Sequence, residues 1–98
     1  RRNGAFAEYV AVPVWNLVEL DEGVDFEEAA MMEPLAVALH AIKQSGLKEG
    51  DSFAVVGTGM IAFAAAQWAK RKGASSVTIF GRSETKRELA ERIGDVEY

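Results

Sequence analysis

SFAVVGTGMIAFAAAQWAKRKGA, residues 52–74, decides the fold. A short uncharged run of β-type residues (Phe53, Ala54, Val55, Val56) feeds Gly57-Thr58-Gly59, and an apolar pattern of helical period begins at once. Gly57, Gly59 and Ala62 fit G-x-G-x-x-G/A, the turn that holds a dinucleotide at the head of a βαβ unit. Each position has a physical task. Gly57 permits the tight strand-to-helix turn, Gly59 lets the backbone approach a pyrophosphate, and Ala62 is small enough for the helix to pack on its strand. The N–H groups of the first helical turn, with the positive end of the helix dipole, would face the phosphates. The spacing alone is weak. Its context is stronger, because a strand precedes it, a helix follows, and a second β-type run (Ser76–Phe80) comes at the right distance. Two rivals remain at this level: a glycine turn that binds nothing, and a nucleotide turn of methyltransferase type.

Composition narrows the rest. Ninety-eight residues make one small domain at most, and 49% hydrophobic residues argue against disorder. A net charge of −4 gives no basic footprint, so nucleic acid is not an expected partner. With no cysteine there is no disulfide and no cysteine-built zinc site in this chain. The uncharged run of residues 52–69 approaches membrane-span length, but Gly57, Thr58, Gly59 and Gln67 interrupt it. It reads as a buried strand plus helix, so no membrane partner is expected, and a cytoplasmic location is. The sequence opens on Arg1 and closes on Tyr98 where a third strand is beginning, and it reads as a piece of a longer protein.

Upstream, residues 5–12 have β-type composition up to Pro13, and residues 15–20 read as a second, irregular extended edge. Asp25-Phe26-Glu27-Glu28 is a capping box opening a short helix to about Met31. Glu33-Pro34 restarts the helix with proline at its first position, Leu35, Leu39 and Ile42 form its buried stripe, and Ser45-Gly46 closes it. Residues 47–51 make a polar turn. Beyond the glycine turn, Ile61, Ala65 and Trp68 form the next stripe, and Lys70-Arg71-Lys72-Gly73 suit a helix end without any ligand. Ser83 is the expected N-cap of an amphipathic helix over Glu84–Ile93, with Leu89, Ala90 and Ile93 inward, a Glu88–Arg92 pair, and Gly94 as C-cap. No internal repeat occurs.

Glu33 stands between apolar neighbours at a helix head, where a carboxylate suits the dipole whether or not it has chemistry to do. His40 falls on the same side of that helix, about 10 Å further along the axis, too far to share a metal with Glu33. On its own it reads as a packed, hydrogen-bonded histidine. Taken together, Gly4-Ala5-Phe6-Ala7-Glu8-Tyr9-Val10, Asn16-Leu17, Phe26-Glu27-Glu28-Ala29-Ala30 and Glu33-Pro34-Leu35-Ala36-Val37-Ala38-Leu39-His40-Ala41 resemble the zinc-dependent medium-chain alcohol dehydrogenases. The likeness is to the polyol branch, that of sorbitol and galactitol-1-phosphate dehydrogenases, and covers essentially the whole chain.

The resemblance implies an α/β architecture: the first half of a Rossmann coenzyme-binding domain, preceded by the end of a GroES-like catalytic domain. Residues 1–24 would close that domain, 25–50 would form inter-domain helices, and 51–98 would begin the coenzyme domain. Glu33 matches the glutamate that ligates the catalytic zinc or orients its water, and is the one catalytic and metal-binding candidate. Coenzyme contacts would come from Gly57, Thr58, Gly59, Met60 and Ile61, and from Gly81, Arg82 and Ser83. Substrates would be polyols or sugar-alcohol phosphates, with zinc and NADP or NAD in a homo-oligomeric parent, the piece itself being inactive. The family's other zinc ligands and its four-cysteine lobe are absent from this sequence, and Met60 and Ala62 stand where proline and glycine are common. A zinc-free reductase of quinone-reductase type is the alternative within the superfamily. NADP is the expected preference. NAD enzymes place an acid after the second strand. Here Gly81 stands there, leaving room, and Arg82 beside it can bind a 2′-phosphate.

Overall fold

The computed structural model describes residues 4–94 and 96–98. Its centre is a pair of parallel strands, β1 (Ser52–Val56) and β2 (Ser76–Phe80), with Val55 opposite Ile79 and Val56 opposite Phe80. Parallel neighbours cannot be joined by a hairpin, so the chain crosses over through helix α3 (Met60–Arg71). On the far side of β2 the expected third strand begins. Glu97 bridges Thr78 in parallel, the Ile79 N–H donating to the Glu97 carbonyl at 2.7 Å and the Glu97 N–H to that of Val77 at 2.9 Å. The sheet therefore grows outward from β1 through β2, the order found in half of a dinucleotide-binding domain.

Helix α3 has two neighbours, the sheet and helix α2 (Met32–Gln44), and its composition follows from that. Phe63, Ala64, Ala65, Ala66 and Ala69 are all buried, the alanines letting backbone approach backbone on both sides. The expected stripe is corrected here. Ile61 is 41% exposed and Trp68 half-buried, because a helix sandwiched on two sides buries a broad arc rather than one seam. Trp68 ties the layers together, its indole N–H donating to the Leu35 carbonyl at 3.0 Å.

The segment before α2 departs further from expectation. Asp25 caps α1 (Phe26–Ala30), its Oδ1 accepting from the Glu28 N–H at 2.8 Å, without a return bond from the Glu28 side chain among the described residues. Helix α2 begins at Met32, so Pro34 is its third residue and not its first. That position costs little, since first-turn N–H groups have no intrahelical acceptor. The buried residues of α2 are Ala38 and Ile42, while Leu35 and Leu39 of the expected stripe are both half-buried. Residues 5–12 form no strand among the described residues and are exposed, for want of a neighbouring strand to take up their N–H and C=O groups. Residues 14–16 make a 3₁₀ turn where an extended edge was expected, with Pro13 set at φ −61° and the Asn16 N–H donating to its carbonyl at 2.9 Å.

Helix α4 (Glu84–Ile93) ends as expected at Gly94, φ +72°. Ala90 is fully buried, while Leu89, expected inward, is 40% exposed. Among the described residues the ion pair on this helix joins Arg87 to Glu84 at 2.8 Å, in place of the expected Glu88–Arg92 pair. Among the described residues no helix is long and apolar enough to cross a membrane.

The two-sided packing of α3 sets an order of sensitivities. Ala66→Leu should cost about 1–3 kcal/mol by overpacking, and Trp68→Phe about 1 kcal/mol through its lost hydrogen bond. Urea unfolding followed by circular dichroism would read both.

Candidate coenzyme site

The carboxyl ends of β1 and β2 finish level, and everything expected to touch a nucleotide lies just beyond them. The Gly57 N–H donates to the Phe80 carbonyl at 2.9 Å, closing the ladder. Past this rung lies an open depression of about 430 Å³ lined by Val56, Gly57, Thr58, Phe80, Gly81 and Arg82. Its position, outside the carboxyl ends of a parallel pair, is where ligands sit in open α/β sheets.

The glycines are there for different reasons. Gly57 has φ +132°, which a side chain would strain, and an added Cβ would sit 3.9 Å from that of Ala62. Gly59 is ordinary extended backbone, φ −85° and ψ 175°, and a Cβ there would meet nothing within 4 Å. Nothing in the fold requires glycine at 59. It heads α3 as an N-cap without a side chain, and the N–H groups of Met60, Ile61 and Ala62 find no backbone acceptor among the described residues. A bare approach, three free donors and the dipole of a 12-residue helix together fit a phosphate.

At Gly81 the structure corrects the sequence reading. An added Cβ would collide with the Thr58 methyl and the Tyr98 hydroxyl, and lie 2.8 Å from Tyr98 Cζ. The glycine thus admits neighbours from its own chain, and the room foreseen on its Cβ side is filled. Arg82 is exposed, its side chain making no hydrogen bond or ion pair among the described residues, and it borders the depression. Ser83 holds the N-cap position of α4 without a capping bond, its hydroxyl lying 2.9 Å from that of Thr85. The Ser83 backbone is held by Tyr98, whose hydroxyl donates to the Ser83 carbonyl at 2.7 Å and accepts from its N–H at 3.2 Å. Sequence reasoning passed over Tyr98. An aromatic opening the third strand, opposite a glycine at the end of the second, was the available signal.

The metal candidate stands apart. Glu33, the second residue of α2, is exposed, and His40 shares its face. The expectation of a packed histidine is corrected: His40 is exposed, about 200° around the helix from buried Ala38. Among the described residues no three His, Cys, Asp or Glu side chains come together as a metal site.

No protein-family model matches the chain. It is 39% identical over 87 residues to L-galactonate-5-dehydrogenase of Escherichia coli K12, covering 89% of this chain and 25% of the relative. Galactitol 1-phosphate 5-dehydrogenase of the same strain is 37% identical over 94 residues, covering 96% and 27%. The crystal structure of galactitol-1-phosphate dehydrogenase from Escherichia coli superposes with a TM-score of 0.81 at 36% identity, over 95% of this chain and 27% of that one. A zinc-binding dehydrogenase from Sinorhizobium meliloti 1021 bound to NADP gives 0.62 at 39% identity, over 66% and 19%. The chain thus spans about a quarter of the length of the curated relatives it matches.

The glycines should separate on substitution. Gly81→Ala should cost about 1–3 kcal/mol by overpacking, whereas Gly59→Ala should change unfolding by less than about 1 kcal/mol. Denaturant titration of both variants would test the assignment.

Proposed function

We propose that this chain opens the coenzyme domain of an NAD(P)-linked oxidoreductase that interconverts a secondary alcohol of a polyol, or polyol phosphate, and its ketone, a reading supported by its likeness to L-galactonate, galactitol 1-phosphate and sorbitol dehydrogenases. The observation that carries this reading is Gly59, a glycine the fold does not need, set in front of three free N–H donors. The nicotinamide supplies the hydride acceptor. What this chain contributes is binding. Gly57 turns the backbone out of β1, and the amides of residues 59–62, with Thr58 beside them, hold the pyrophosphate. Arg82 and the Ser83 hydroxyl bind the 2′-phosphate of NADP, and Gly81 lets that loop seat against Thr58.

On this reading residues 25–50 link the coenzyme domain to a GroES-like catalytic domain of which residues 1–24 are the end. Glu33 is then the one zinc donor that this stretch offers a centre completed elsewhere in a cytoplasmic, homo-oligomeric parent.

Two measurements on the full-length protein test the proposal. Arg82→Ala should lower kcat/KM for NADP about 10- to 150-fold, the loss of roughly 1.5–3 kcal/mol of charge-assisted bonding, and leave NAD nearly unchanged. A parent that prefers NAD would overturn the assignment. For the metal, Glu33→Ala should weaken zinc retention about 10- to 100-fold relative to Glu28→Ala, read as zinc content after dialysis. Equal retention in the two variants would return Glu33 to a helix-dipole role.

A further inference from the structure

Tyr98 directly follows Glu97, whose bridge to Thr78 begins the third strand, and its side chain reaches the loop of residues 81–83. Its hydroxyl makes two bonds to one residue, donating to the Ser83 carbonyl at 2.7 Å and accepting from the Ser83 N–H at 3.2 Å. The ring is held in turn. Arg87 lies over it at 5.1 Å from the centroid, donates to the Tyr98 carbonyl at 3.0 Å, and pairs with Glu84 at 2.8 Å. The hydroxyl end of the ring lies against Gly81, where no Cβ would fit. The backbone on either side of Arg82 is therefore fixed, by contact at Gly81 and by paired hydrogen bonds at Ser83, while the Arg82 side chain, exposed and unpaired among the described residues, borders the depression.

We propose that Tyr98 is a positioning residue for coenzyme selection: its hydroxyl sets the loop from which Arg82 and Ser83 meet the 2′-phosphate. This rests on the reading of Arg82 given above. Without the hydroxyl the Ser83 N–H and carbonyl turn to water and the loop gains freedom. Binding the extra phosphate must then order the loop again, which weakens phosphate contacts but not those made to the rest of the nucleotide.

The test uses the full-length protein carrying this chain, titrated calorimetrically with adenosine 2′,5′-bisphosphate and with 5′-AMP. The unmodified protein should bind the bisphosphate at least about tenfold more tightly. Tyr98→Phe, which keeps the ring and its seat against Gly81, should weaken bisphosphate binding about three- to tenfold and leave 5′-AMP within about twofold. If Tyr98→Phe lowers the melting temperature but preserves the ratio of the two affinities, the tyrosine is only structural and the inference is overturned. If the unmodified protein does not distinguish the two nucleotides, the Arg82 reading itself fails, and the inference with it.

Discussion

The hydrogen bond from the Gly57 N–H to the Phe80 carbonyl is the constraint from which the site follows. It is the last rung of a parallel ladder, so it makes two strands end at one level. The turn leaving β1 and the loop leaving β2 then start side by side, and a molecule bridging them can touch both. A one-residue slip would exchange the faces of every side chain in β2. Buried Val77 and Ile79 would be driven outward, which fixes the register firmly.

That rung is held in place from behind by α3. Small residues on two sides of one helix allow both the sheet and α2 to close on it, and the Trp68–Leu35 bond couples α2 to the same block. The helix that anchors the core is also the one whose head faces the depression. Packing at Ala66 and Ala69 and the aim of the N–H groups of residues 60–62 are thus consequences of one placement. The exposed face of α2 carries Glu33 and His40 away from this block.

Elements with their own internal signal were legible in the sequence. The second strand and last helix were placed at their observed ends, the glycine turn was identified, and the capping contact at Asp25 formed. Periodicity failed where a residue had more than one neighbour or none. Ile61 follows helical spacing yet lies outside the broad buried arc of α3, and His40, expected to pack, is exposed. Residues 5–12 have strand composition, but strand structure is a property of pairs. The role of Tyr98 was invisible for a related reason, since its contacts with Gly81 and Ser83 join segments that only the parallel crossover brings together.

The two tryptophans fall on opposite sides of that divide between paired and unpaired chain. Trp15 is 82% exposed in the irregular arm, whereas Trp68 is half-buried, bonded to α2 and 5.8 Å from the Arg71 guanidinium. Intrinsic fluorescence therefore contains two separable signals. A water-like, readily quenched emission belongs to the arm, and a shielded emission belongs to the α2–α3 junction. The protein carries within itself an optical means of observing, separately, the covering of its arm and the loosening of its core.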